Sequence, residues 1–146
     1  MKNWNRTAII KTVIIAVLTL PNFTILDPPL SDAKIADTLI QSAVVALVIF
    51  LAGPLQFKFM LGMFYRNGFE KPSWNDNPLS FKQPLRFIQF ASVLCIASGV
   101  TTIASGMISQ MSFNLLTEHG LLVLGFGTGM YLSIFLTLHW TKKPAE

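Results

Sequence analysis

The sequence predicts an all-α integral membrane protein, a four-helix bundle with both termini on the cytoplasmic side. Phe87 to Thr141 runs fifty-five residues with Glu118 as the only formal charge. A bilayer core of about 30 Å takes roughly 20 apolar residues of helix. That stretch is therefore the length of two crossings, with its acid at the turn between them. The 146 residues are 52% hydrophobic and 12% charged, against roughly 25% charged in soluble domains. Mean hydropathy is +0.55, as expected of a chain that is more than half membrane span. The placement of Lys and Arg supplies the third observation, taken up after the elements.

The first helix is expected over residues 7–26, interrupted by Lys11 and by Pro21-Asn22. Lys11 lies one turn inside, where its stem can snorkel and bring the ammonium to the headgroups. The basic start and apolar run imitate a signal peptide, but Leu18, Leu20 and Pro21 stand where small residues would mark cleavage, so an uncleaved helix is expected. The second helix is expected over 35–65, longer than one crossing, with a kink at 53–54 because Pro54 removes the bond to the Phe50 carbonyl. Its tail past Lys58 is expected to lean along the interface. A cytoplasmic loop follows over 66–84. The third helix is expected over 85–109, with a start as early as Phe81 if Ser80 to Gln83 acts as a capping box. The fourth is expected over 120–140. The whole chain, 1–146, reads as one transmembrane domain.

Orientation follows from charge. With four crossings, Lys2, Arg6, Lys11, Lys58, Arg66, Lys71, Lys82, Arg86, Lys142 and Lys143 fall on one side, and Lys34 alone on the other, among Asp27, Asp32 and Asp37. Ten of eleven basic residues on one side is a strong positive-inside pattern. The pattern suits the inner (plasma) membrane of a bacterium, with N and C termini in the cytoplasm.

Helices in lipid associate through close backbone approach and a few polar contacts. The fourth helix carries Gly125, Gly129, Ser133 and Thr137 at i+4 spacing. The third carries Gly99, Thr102 and Gly106 within a longer series of small residues. Gly99, Thr102, Gly106, Gly125, Gly129 and Ser133 are therefore the expected helix-packing residues, the two stripes facing each other. The alternative is that they line a ligand path or a subunit interface. Gly125 to Gly129 also imitates a nucleotide loop, but a phosphate cradle needs a loop before a helix start, and these glycines lie inside an apolar run.

Chemistry is sparse. Intramembrane charge marks transport and proton relays, and here Lys11, Lys58, Asp37 and Glu118 all lie near predicted ends, with Gln41 a polar amide about a turn inside. Carboxylate-coupled antiport is disfavoured. Glu118-His119 is the only acid–imidazole pair, and adjacent helical residues diverge by about 100°, so no dyad forms from it. The single Cys95 excludes an intramolecular disulfide. No catalytic residue, metal site or cofactor is expected, and no soluble segment is long enough to bind nucleic acid. The loop Glu70 to Leu79 is turn-rich rather than floppy, because Asp76 and Asn77 can bond their own backbone and Pro78 forces Asn77 extended. Trp74, Asn75, Asp76 and Asn77 are candidate docking residues for a partner.

These features lead to a non-enzymatic multi-pass protein acting through protein contacts, as accessory subunit, assembly factor or immunity-type binder. Its expected partners are the lipid bilayer and a membrane protein or further copies of itself. An oligomeric small-solute transporter or channel is the alternative, and a membrane enzyme using Glu118 and His119 the third reading.

Overall fold

A computed structural model describes residues 4–24, 30–57, 69–79, 83–110 and 117–141. All regular structure among them is helical: α1 Arg6–Thr19 continued by a 3-10 turn Leu20–Phe23, α2 Asp32–Gln56, α3 Pro84–Gln110 and α4 Glu118–Thr141. Each of the four is long and apolar enough to cross a bilayer, as a multi-pass membrane protein requires. The 14 residues of α1 and the four of its 3-10 turn together reach about 29 Å, one hydrocarbon thickness. On α2 the side chains of Ile40, Val44, Leu47, Val48, Leu51 and Leu55 are all exposed. A contiguous apolar face of that kind is costly in water and costs nothing in lipid.

Local chemistry sets the ends. Asn5 caps α1 through its side-chain oxygen, which accepts the Ala8 N–H at 3.0 Å. Thr117 caps α4, its hydroxyl accepting the Gly120 N–H at 3.1 Å, which starts the helix two residues before the apolar run. Residues Asp32 to Lys34 also join α2, whose first bonds run from the Lys34 and Ile35 N–H groups to the Ser31 carbonyl, with no side-chain cap from Ser31. α3 runs from Pro84, where a missing N–H is harmless, while the earlier start at Phe81 lies outside the described residues. Gln83 lies outside the helix and its side chain accepts the Glu70 N–H at 3.1 Å instead. α2 passes through Pro54, and the Phe57 N–H beyond it reaches both the Gly53 and Pro54 carbonyls. The expected continuation to Tyr65, the end of the first run at 25–26, and loop residues 66–68 and 80–82 lie outside the described residues.

α4 is the central helix. One face meets α2, with Gly125 against Ser42, Gly129 against Ala46 and Ser133 against Gly53. The pairing advances in the same direction on both chains, so α2 and α4 are parallel. The other face meets α3 in antiparallel register, with Gly120 and Leu124 against Gly99, and Gly127 against Cys95 and Ser92. Thus the stripe of Gly125, Gly129 and Ser133 lies on α2, whereas the sequence pattern set it against the stripe of α3. α4 carries small residues on two faces, and α3 takes the second one. On α3, Gly99 touches α4, Thr102 bonds back to the Ser98 carbonyl at 2.8 Å within its own helix, and Gly106 is buried.

α1 lies parallel to α3 along a seam of Ala8, Lys11, Ile15 and Thr19, which recur at helical spacing. Asn22 pins the 3-10 turn to α3, donating to the Ser98 and Thr101 hydroxyls at 3.0 and 2.8 Å. The result is an up-down-up-down arrangement. The starts of α1 and α3, the ends of α2 and α4, and loop 69–79 share one end of the bundle. A small core of Leu85, Ile88 and Ile134, flanked by Phe57, Phe69 and Leu138, closes that end.

Between α2 and α4 the Ser42 hydroxyl donates to the Leu121 carbonyl at 2.6 Å. Side-chain bonds between membrane helices average about 0.6 kcal/mol. Ser42→Ala should therefore lower the unfolding temperature in detergent only slightly. Ser42→Leu should lower it far more, because Gly125 leaves no room for added carbons.

Candidate functional site

Chemistry concentrates at the shared end, where residues 69–79 fold back onto α1 and α3. Ser73 to Asp76 forms a turn closed from both sides. The Asp76 N–H donates to the Ser73 carbonyl at 3.1 Å, and the Ser73 N–H donates to Asp76 Oδ2 at 2.8 Å. This is the local backbone bonding that Asp favours in turns. Arg86, on the first turn of α3, reaches the same carboxylate oxygen at 3.3 Å through Nε and Glu70 at 3.7 Å through Nη2.

Lys11 completes this clasp. Its side chain is 1% exposed, so it does not reach out to headgroups as its position near the helix start suggested. Its Nζ donates to the Asp76 carbonyl at 3.1 Å and sits 4.2 Å from the Trp74 ring centroid, within cation–π range. Trp74 Nε1 in turn donates to the Thr12 hydroxyl at 3.2 Å, one residue along α1. Asn5 Nδ2 donates to the Asn75 carbonyl at 2.9 Å. A buried ammonium is tolerable only when carbonyls and aromatic faces replace its hydration, and the loop supplies both.

The four loop residues singled out by sequence therefore have different surroundings. Trp74, Asn75 and Asp76 are occupied by contacts within the chain. Asn77 is exposed, its side-chain oxygen accepting the Leu79 N–H at 3.0 Å, and Leu79 itself is exposed.

Beneath the loop an open groove of about 600 Å³ runs between α1 and α4 across α3. Its walls are Thr12 and Ile15 of α1, Val93 of α3 and Phe135 of α4, with Pro72 and Trp74 of the loop above. Tyr131 and Gln89 are the polar groups on its α4 and α3 sides. A smaller cavity of about 50 Å³ shares Lys71, Gln89, Tyr131 and Phe135 with it. Gln89 was not singled out by sequence, which drew attention to Gln41. Gln41 is exposed on α2, whereas Gln89 is buried. The one available signal was an amide on the seam side of an otherwise apolar helix, at a register that only the packing of α1 reveals.

Glu118 and His119 sit exposed on the first turn of α4, at the opposite end from the clasp. Among the described residues no three His, Cys, Asp or Glu side chains converge as a metal site would require. No family model, curated protein or solved structure matches this chain.

Proposed function

We propose that this protein is a non-catalytic multi-pass component of a bacterial plasma membrane that acts by presenting its clasped loop to a membrane-protein partner, as an accessory subunit or assembly factor. The observation that supports this reading is the clasp. Lys11, Trp74, Asp76 and Arg86 spend their bonding capacity on fixing the loop, and the fixed loop turns Asn77 and Leu79 outward. A rigid element with an exposed apolar tip loses little entropy when a partner docks.

The same end of the bundle carries the start of α1, the start of α3 and loop 69–79, and with them Arg6, Lys11, Lys71 and Arg86, whereas Lys34 lies at the other end. Under the positive-inside rule this distribution supports a cytoplasmic place for this end, and with it the reading of both termini as cytoplasmic. Asn77→Cys in a Cys95→Ser background tests the assignment. An impermeant maleimide should label it only after cells are opened, and labelling of intact cells would reverse the topology.

The partner reading is tested by mild-detergent affinity purification of the full chain. A stoichiometric membrane protein should co-purify, and Leu79→Asp should release it without lowering the unfolding temperature. Recovery of the chain alone from both proteins would overturn the proposal. Transport is less well supported. On the stripes that were candidates for a path, Gly125 and Gly129 stand against the backbone of α2 and Gly99 against the backbone of α4, which favours packing over a path at those positions.

A further inference from the structure

Gln89 is 9% exposed, and its Oε1 has no hydrogen-bond partner among the described residues. Its Nε2 faces the Pro72 carbonyl at 3.4 Å, near the limit for such a bond. The amide is half satisfied, with its acceptor shut away from water. Beside it the loop leaves a void of about 50 Å³, walled by Pro72 and Gln89 and by Tyr131 and Ile134 of α4. An unmet acceptor and a void are both costs of the covered position. The inner face of the loop fits poorly what it covers.

Relief of those costs requires one of the covering elements to move. α4 is fixed, because Gly125 and Gly129 stand against the α2 backbone and Gly127 against that of α3. Loop 69–79 is held differently, by single polar contacts from Asn5, Lys11 and Thr12 of α1 and from Arg86 of α3. Its Ser73 to Asp76 turn closes on itself, so that part moves as one piece. We propose that loop 69–79 is a strap with a second, lifted position, in which Gln89 meets water and the groove between α1 and α4 opens on the loop side. Pro72, Ser73 and Trp74 leave the groove wall together on lifting. The clasped position stays the major one, because lifting takes the Asp76 carbonyl and the Trp74 ring away from Lys11. Gln89 is the counterweight that keeps the lifted position within thermal reach. The device does not depend on the docking of a partner protein.

Thiol labelling of the purified full chain reads the lifted population. Pro72 is buried, so in a Cys95→Ser background Pro72→Cys places a thiol beneath the loop and keeps the carbonyl that faces Gln89. Its reaction with a water-soluble maleimide should be slower than at the exposed Asn77→Cys. It should be much faster than at Ser92→Cys, a position 0% exposed inside the bundle. Gln89→Met removes the unmet acceptor at nearly the same shape. An unmet buried acceptor shifts an equilibrium by about fivefold or more. Gln89→Met should therefore slow labelling at Pro72→Cys by about fivefold and leave labelling at Asn77→Cys unchanged. Asp76→Ala, which loosens the clasp, should speed it. An amide that only ties the loop to α3 would give the opposite sign, because Gln89→Met would then lose a bond. Labelling that quickens or stays constant in Gln89→Met would overturn the proposal. Should that variant fail to fold, the parent background decides. Labelling at Pro72→Cys no faster than at Ser92→Cys would mean that the loop leaves only when the bundle unfolds, and the strap would be refuted.

Discussion

Gly129→Leu is expected to destabilise the bundle by about 3 kcal/mol, the upper end for overpacking. A carbon built on Gly129 would stand 2.5 Å from the Ala46 carbonyl oxygen and 2.9 Å from its Cα. Both neighbours are helix backbone, which cannot rotate aside as a flexible side chain can. The two neighbouring contacts, Gly125 with Ser42 and Ser133 with Gly53, are equally tight. α2 would therefore have to move away along the whole seam. Against a total of roughly 5–15 kcal/mol for a typical domain, such a loss should lower the unfolding temperature in detergent by many degrees. Leu132→Ala is the control, because Leu132 is 45% exposed on the outer surface of α4 and loses no packed partner. Its effect should stay within about 0.5 kcal/mol, as for other surface changes. A Gly129→Leu protein as stable as its parent would mean that α2 does not lie on this face.

Asp76→Ala should open the clasp. The carboxylate accepts the Ser73 N–H at 2.8 Å and holds Arg86 at 3.3 Å. A hydrogen bond to a charged acceptor contributes about 1.5–3 kcal/mol. Arg86 and Asp76 are about a quarter exposed, so solvent screening limits their ion pair to less than about 1 kcal/mol. Without that turn the Asp76 carbonyl no longer lies over Lys11, and a buried ammonium loses its acceptor. Amide exchange at Ser73 and Asp76 should accelerate by at least tenfold, with Trp74 emission shifted to the red as its ring leaves the α1 surface. Exchange within α4 should change little. Unaltered exchange at Ser73 would show that the loop is held by something other than Asp76.

The spans were legible because length and apolarity are local properties of a helix. Their starts were less so. Asp32 to Lys34 and Glu118-His119 read as polar links, yet both segments are helical, the second under a cap supplied by Thr117. The choice of neighbour was not legible at all. Small residues on α4 mark close approach but do not say which helix approaches, and two faces carry them. Turn chemistry at Ser73 to Asn77 could be read from residue type. Its docking could not, since Lys11 and Asp76 are 65 positions apart and nothing in either segment names the other. Lys11 looked like an interfacial anchor for the same reason. Gln89 became informative only once α1, α4 and the loop enclosed it.

The docking of loop 69–79 on α1 is the structural claim on which the site rests, and a crosslink in native membranes tests it most directly. The Asn5 side chain donates to the Asn75 carbonyl at 2.9 Å, and its backbone N–H to the Asn75 side chain at 3.4 Å. In a Cys95→Ser background, Asn5→Cys with Asn75→Cys should join within one chain under mild oxidation. The product should migrate as a compact monomer, and Asn5→Cys with Leu79→Cys should serve as the poorly joined control. Rapid intramolecular closure of the first pair alone is the expected result. Failure of that pair to close, or closure only between separate chains, would contradict the clasped loop.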